Sequence, residues 1–131
     1  MITASQLVVH AVGDYLLQSD WMAQKKTSSH VPALCHAAVY TLLFGVVFNP
    51  SWVALAVIGV THFFIDRYRL ARYVVWAKNW IAPKSGWPKS WKECSGTGYD
   101  PDRPAWLSVW LLIIADNLLH VIINGVALSC L

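Results

Sequence analysis

Four long apolar stretches divide the chain, and polar connections separate them. The stretches cover about residues 2–22, 31–48, 51–73 and 104–131, and the longest connection covers 78–103. A helix needs about 20 residues, within a range of about 17–25, to cross the hydrocarbon core of a bilayer, and each stretch is long enough. The pattern therefore predicts four transmembrane helices joined by two short turns and one long loop.

The stretches differ in the number of polar residues that interrupt them. The second and fourth contain few polar residues, whereas the third runs into Asp66, Arg67 and Arg69 at its end. Four polar residues interrupt the first stretch: Gln6, His10, Asp14 and Gln18. Because no basic segment precedes this stretch and no small-residue cleavage site follows it, we expect a retained helix rather than a signal peptide.

The composition supports the membrane interpretation. Hydrophobic residues make up 56% of the 131 residues and charged residues 13%, about half of the charged fraction typical of a soluble domain. Such a chain has too little polar material to cover a soluble core and is too apolar to be disordered. The three cysteines contain no C-x-x-C pair, which argues against a disulfide framework or a cysteine-rich zinc site. We expect one all-α domain over residues 1–131, an integral membrane bundle.

The basic residues predict the orientation of this bundle. All ten lie in the first connection or between the end of the third stretch and the start of the fourth, and six of the eight tryptophans lie near the same boundary. The positive-inside rule places these connections in the cytoplasm and both termini outside the inner, cytoplasmic membrane. The net charge of +3 then suits anionic lipid, so the lipid bilayer is the expected partner, with no nucleic acid and with oligomerisation left open.

Acidic residues and histidines recur together inside the apolar stretches. Asp14, Asp66 and Asp116 each have a histidine four positions away in the sequence. Residues four apart lie on one face of a helix, about one turn from each other, which suits two ligands of one metal. The second stretch adds one more histidine, and the complete set of predicted ligands is His10, Asp14, His36, His62, Asp66, Asp116 and His120.

The order of the pairs agrees with the predicted orientation. Histidine precedes aspartate in the two outside-to-inside helices and follows it in the fourth, so each aspartate lies on the cytoplasmic side of its histidine. We expect the three carboxylates to converge on a shared centre that His36 approaches from the second helix. His10, His62 and His120 are then expected to cluster about 5.4 Å, one helical turn, further from the basic connections.

Imidazole and carboxylate ligands suit a divalent metal; zinc is the preferred choice, with manganese and iron as alternatives. Seven ligands suffice for two ions, which could activate water for phosphoryl chemistry. The three aspartates are the catalytic candidates, with an uncoordinated Asp or His as general base. Four further residues could orient ligands or bind an anionic group: Gln18, Arg67, Asn117 and Lys25, or Lys26 in place of Lys25.

These observations predict a membrane-embedded, metal-dependent hydrolase that acts on a phosphate-containing, lipid-linked substrate near the cytoplasmic face. A b-type haem protein is the first alternative, because membrane bundles hold haem between two histidines. A second is an ion or proton carrier that uses the Asp and His layers as a relay. A third is a structural or partner-binding membrane protein in which the polar residues only join helices.

Four motifs in order resemble a family of small, uncharacterised bacterial and phage membrane proteins, a domain of unknown function. They are His10-Ala-Val-Gly-Asp14, His36-Ala-Ala-Val-Tyr40, His62-Phe-Phe-Ile-Asp66 and Asp116-Asn-Leu-Leu-His120. In motif style this family is similar to membrane-bound, metal-dependent hydrolases. The resemblance implies a polytopic helical fold and a metal-dependent hydrolase, with the same seven residues as ligands.

Overall fold

A computed structural model describes residues 2–131 and is all-α, with no β-strand in that range. The all-α prediction is thus confirmed. Two short 3-10 turns, Asn79–Ile81 and Lys84–Gly86, lie in the longest connection. The α-helices are α1 (Ala4–Ala11), α2 (Asp20–Lys25), α3 (His30–Phe48), α4 (Trp52–Tyr68), α5 (Ala71–Lys78), α6 (Trp91–Cys94) and α7 (Ala105–Cys130).

The first apolar stretch is not one helix, which corrects the prediction for residues 2–22. α1 continues into a π-helical turn, Val12–Leu16, where the Leu17 amide donates to the carbonyl of Val12 at 2.9 Å. The chain then leaves the helical path, and the Ser19 hydroxyl accepts the Met22 amide and starts α2. A side-chain cap of this kind satisfies an amide that has no partner in its own helix, so a new helix begins there.

The third stretch also divides, which corrects the prediction of one helix over 51–73. α4 ends at Tyr68 because Arg69 adopts a left-handed conformation, with φ of 53°. The Arg69 amide caps the helix by bonding to the carbonyls of Ile65 and Asp66. The chain resumes as α5, and the connection at 78–103 contains α6 and two 3-10 turns, so it is more ordered than the predicted loop.

The chain forms two compact units. The first, here called the core unit, comprises the described part of Met1–Arg69 together with His120–Leu131. The second, the loop unit, comprises Leu70–Leu119. The buried apolar residues at the centre of the core unit are Val9, Tyr40, Phe44, Ala54, Ile58 and Ala127.

α3 and α4 form a helical hairpin in the core unit. Asn49 turns the chain with φ of 44°, a conformation that asparagine adopts more readily than most residues. The Ser51 hydroxyl then accepts the Ala54 amide at 3.0 Å and caps α4. Gly59 allows the helices to approach, since a Cβ atom there would lie 2.6 Å from the hydroxyl oxygen of Thr41. The hairpin therefore sets the spacing of the α3 and α4 side chains.

Aromatic and basic side chains order the loop unit. Tyr73 stacks on Trp91 with ring centroids 4.3 Å apart, and the Arg72 guanidinium lies over both rings and donates to the Ser95 carbonyl. The Asp102 amide bonds to the Asp100 carboxylate and lowers its pKa below the ordinary value. These contacts explain why the connection is ordered despite its irregular sequence.

Two helices are long and apolar enough to cross a membrane, α3 and α7. α4 has 17 residues, the lower end of the spanning range of about 17–25. Large apolar side chains are exposed on these helices, including Val46 at 75%, Trp52 at 87% and Trp106 at 68%. Two of the four predicted spans thus meet the length and composition that spanning requires.

Candidate metal centre

Histidine and aspartate side chains from four segments meet inside the core unit. The π-helical turn supplies Asp14, α3 supplies His36, α4 supplies His62 and Asp66, and α7 supplies His120. All five are buried, with exposed fractions between 0% and 6%. Ionisable side chains are rarely buried unless they are paired or bind a metal, so this cluster requires a chemical explanation.

Asp66 is surrounded by three imidazoles. Its Oδ2 atom lies 3.1 Å from Nε2 of His36 and 3.3 Å from Nε2 of His62. Its Oδ1 atom lies 3.3 Å from Nε2 of His120. One carboxylate thus joins α3, α4 and α7 through the same nitrogen of each ring.

Asp14, in the π-helical turn, contacts two of these imidazoles. Its Oδ1 atom lies 3.5 Å from Nε2 of His36 and 3.6 Å from Nε2 of His62. Among the described residues, Asp14 Oδ1 and His62 Nε2 are buried without a hydrogen-bond partner. A buried polar atom without a partner costs about 1–3 kcal/mol, so these two atoms point to a ligand between them.

The distances fit a small metal ion. Ligand atoms about 2.0–2.1 Å from a tetrahedral zinc lie about 3.3–3.4 Å from one another. The four contacts of Asp14 and Asp66 with His36 and His62 measure 3.1, 3.3, 3.5 and 3.6 Å, close to that separation. The chemistry of the donors, imidazole nitrogen and carboxylate oxygen, is also that of zinc sites.

The potential ligands form two triads, Asp14–His36–His62 and His62–Asp66–His120, each with ligand atoms within 4.8 Å of one another. His62 belongs to both. An imidazole nitrogen has one lone pair for a metal, so Nε2 of His62 can bind a single ion. The shared residue therefore favours one ion, whereas the number of ligands in the sequence allowed two.

His10 belongs to neither triad and faces Tyr40 instead. Its Nδ1 atom lies 2.7 Å from the Tyr40 hydroxyl and 3.7 Å from Oδ2 of Asp14. The Tyr40 hydroxyl also accepts a bond of 2.6 Å from the Asn124 amide, and its ring stacks on His62 with centroids 3.8 Å apart. His10 thus lies beside the centre, in contact with both the Tyr40 hydroxyl and the Asp14 carboxylate.

The π-helical turn explains how Asp14 reaches the cluster. Such turns are rare, and they appear mostly as single wide turns inside helices, often at functional sites. Gly13 allows the turn to pack against α3, because a Cβ atom there would lie 2.6 Å from Cδ2 of Tyr40. Gln18 binds the backbone carbonyl of Asp14 at 3.0 Å, so it supports the turn rather than the carboxylate.

A lysine adds a positive charge at the edge of the cluster. Lys26 Nζ lies 2.8 Å from Oδ2 of Asp66 and 3.4 Å from Nε2 of His36, and its side chain is 18% exposed. Arg67 donates to the carbonyls of Thr27 and Ser28 at 2.7 and 3.3 Å. Arg67 therefore holds the segment that follows Lys26, while the neighbouring Lys25 is exposed.

The structure does not include Asp116 in either triad of the described residues. Asp116 is half-buried on α7 in the loop unit, and the Asn117 amide donates to the carbonyl of Ile113 at 2.6 Å. The observed carboxylates around His36 and His62 are Asp14 and Asp66. The expected cluster of His10, His62 and His120 is present, with ring centroids 4.3 Å apart for His62 and His120 and 5.7 Å apart for His10 and His120. It is not a separate layer, because His62 and His120 contact Asp66 directly.

Sequence reasoning noted Tyr40 one turn after His36 without giving it a role in the site, and it passed over Asn124. Both continue the spacing of four that marks the ligand pairs, since Tyr40 follows His36 and Asn124 follows His120 by four positions. Extending the search to neutral polar residues at that spacing would have found them. Nothing in the sequence distinguishes Lys26 from Lys25 as the lysine near the site, because both lie in the same polar connection.

The fold and the cluster define an all-α protein with two helices able to span a membrane and a buried His/Asp centre. The chain belongs to the family described as protein of unknown function DUF3307, whose model matches residues 2–95. The resemblance to an uncharacterised family is thus confirmed. The matched region includes Asp14, His36, His62 and Asp66 and ends before His120. No curated protein and no solved structure matches the chain.

Proposed function

We propose that the protein is a membrane-embedded, metal-dependent hydrolase that acts on a phosphate-containing, lipid-linked substrate near the cytoplasmic face. The observation that carries the proposal is the meeting of Asp14 and Asp66 with His36 and His62 at ligand separations of 3.1–3.6 Å. The single ammonium of Lys26 balances one of the two buried carboxylates, and a divalent ion held between them would balance both.

Zinc is the metal we expect, with manganese and iron as alternatives. Asp14, His36, His62 and Asp66 would hold it, and His120 would orient Asp66 through its contact of 3.3 Å. When bound, such an ion lowers the pKa of a bound water and stabilises negative charge on phosphate oxygens. An Asp or His that does not hold the ion would accept a proton from that water.

The membrane setting rests on surface chemistry and helix length. α3 and α7 are long and apolar enough to span a bilayer, and the 17-residue α4 lies at the lower end of the spanning range, whereas the 8-residue α1 is too short to cross alone. Exposed apolar side chains such as Leu42 (68%) and Val46 (75%) on α3 suit contact with lipid. A centre buried between such helices is reached most directly from the bilayer, which favours a lipid-linked substrate.

A haem protein receives less support from the geometry. The ring centroids of His36 and His62 lie 4.8 Å apart, and those of His62 and His120 lie 4.3 Å apart. Two axial histidines must face each other across a porphyrin plane, whereas these rings direct Nε2 atoms at shared carboxylates. The arrangement therefore favours a compact ion over a macrocycle.

Metal analysis of the full-length protein in detergent tests the centre. We expect about one zinc per chain by mass spectrometry, and a loss of at least about tenfold in affinity for Asp66→Asn and His62→Ala. His30→Ala and Asp102→Asn are matched controls, because His30 and Asp102 lie outside both triads. Wild-type protein that binds no transition metal when zinc is supplied would contradict the metal centre.

A separate assay tests the reaction. Zinc-loaded protein in vesicles that contain a lipid phosphomonoester should release phosphate, and zinc-loaded Asp102→Asn should do so at the wild-type rate. Asp66→Asn should lose this activity together with the metal. Zinc-loaded protein that releases no phosphate and no headgroup from a panel of phospholipids would refute the hydrolase and leave the metal centre standing.

A further inference from the structure

Lys26 is a cationic side chain that reaches the centre from the protein surface. Its ammonium contacts Asp66 Oδ2 at 2.8 Å, the same oxygen that lies 3.1 Å from Nε2 of His36 and 3.3 Å from Nε2 of His62. The side chain is 18% exposed, whereas Asp66 is 4% exposed. Lys26 therefore lies between the buried ligands and the outside.

A bound divalent metal would leave the Lys26 ammonium without a counter-charge in the centre. Asp14 and Asp66 carry two negative charges, and a divalent ion held by both carboxylates neutralises them completely. The ammonium of Lys26, which pairs with Asp66 in this structure, then has no counter-charge left in the centre. A largely buried charge without a partner is costly, so the metal-loaded centre favours an anion beside Lys26.

The backbone around Lys26 keeps the ammonium close to the centre. Lys26 is the C-cap of α2, and its amide bonds to the carbonyl of Met22 at 2.9 Å. Arg67, which directly follows Asp66, binds the carbonyls of Thr27 and Ser28. A side chain released from Asp66 thus remains within reach of a group bound to the metal.

We propose that Lys26 is the phosphate-binding residue of the site and that it selects substrates with a negatively charged phosphate group. This inference rests on the proposed metal-dependent hydrolase. Lysine binds phosphate as a compact point charge with three donors, and charge-assisted hydrogen bonds of this kind are stronger than neutral ones. The expected substrate class is therefore a phosphate ester with anionic oxygens that can accept hydrogen bonds from the Lys26 ammonium.

Two neighbouring basic residues fit this role less well. The Lys25 side chain is exposed, and the Arg67 Nη atoms already bind the carbonyls of Thr27 and Ser28. Lys25 makes a matched control for Lys26, since the two residues are adjacent, carry the same charge and differ in contact with Asp66.

The test is a calorimetric titration of inorganic phosphate into zinc-loaded, full-length protein in a neutral detergent. We expect Lys26→Gln to weaken phosphate binding by at least about tenfold while the zinc content stays at the wild-type level. Lys25→Gln should stay within about twofold of wild type, and Lys26→Arg should recover part of the affinity. Zinc-loaded Lys26→Gln that binds phosphate as wild type does would overturn the inference.

A second measurement uses wild-type protein and avoids any effect of substitution on folding. Phosphate should protect Lys26, and not Lys25, from an amine-reactive reagent in the zinc-loaded protein, as read by mass spectrometry of the peptides. Equal labelling of Lys26 with and without phosphate would overturn the inference alone. Failure of wild type to bind zinc overturns the proposed function instead, and the phosphate site with it.

Discussion

The ring of Tyr40 stacks on the imidazole of His62, with centroids 3.8 Å apart and planes inclined by 19°. The hydroxyl of the same tyrosine contacts Nδ1 of His10 at 2.7 Å and the Asn124 amide at 2.6 Å. Tyr40 is 0% exposed, so one buried side chain on α3 positions a potential metal ligand on α4 and joins it to α1 and α7.

Tyr40→Phe keeps the stacked ring and removes the hydroxyl. We expect the free energy of unfolding to fall by about 1–3 kcal/mol, because His10 and Asn124 lose a buried partner. Chemical denaturation in detergent measures the change, and Tyr68→Phe is the control because Tyr68 is 42% exposed. Equal stability of the Tyr40 variant and wild type would show that the hydroxyl bonds contribute little.

Gly13→Ala tests the packing of the π-helical turn. An added Cβ atom would lie 2.6 Å from the Tyr40 ring, so either the turn or the ring must move. Overpacking of this kind costs about 1–3 kcal/mol, and we expect a lower melting temperature together with weaker zinc binding. Gly96→Ala is the control, since a Cβ atom there meets no atom within 4 Å. A Gly13 variant that retains both properties would contradict the role given to this close approach.

Arg67→Gln tests the anchoring of the segment after Lys26. Without the bonds to the carbonyls of Thr27 and Ser28, local opening becomes easier. We expect trypsin to cleave after Lys25 or Lys26 several times faster than in the wild-type protein in detergent. Arg103→Gln, in the loop unit, should leave this cleavage rate unchanged. An unchanged rate in the Arg67 variant would mean that other contacts hold the segment.

The orientation can be tested with introduced cysteines in a background that carries Cys35→Ser and Cys130→Ser. Trp52→Cys lies at the start of α4 and is expected outside, whereas Ser85→Cys lies in the basic connection and is expected in the cytoplasm. A membrane-impermeant maleimide should label the first in intact spheroplasts and the second only in inverted vesicles. Labelling of both from one side would refute the predicted topology.

Fold class was accessible from sequence because apolar length and periodicity are local properties. The stretch at 31–48 corresponds closely to α3 (His30–Phe48) and that at 104–131 to α7 (Ala105–Cys130). The other two stretches divide at Leu17 and Arg69, where a π-helical turn and a left-handed residue end the helices. The average hydrophobicity of a stretch does not predict such helix breaks, since they depend on individual backbone hydrogen bonds and caps.

For the site, the sequence by itself determined which polar side chains share a helix face: the spacing of four puts His62 and Asp66 on one face of α4, and their contact is 3.3 Å. Only the tertiary structure decided which helices bring their pairs together. In the folded chain Asp14 and Asp66 lie around His36 and His62, and Asp116 lies outside both triads. His10 contacts Tyr40, and Lys26 rather than Lys25 contacts Asp66. The physical reason is that helical periodicity sets directions about one axis, whereas convergence depends on how several helices break, pack and rotate against one another.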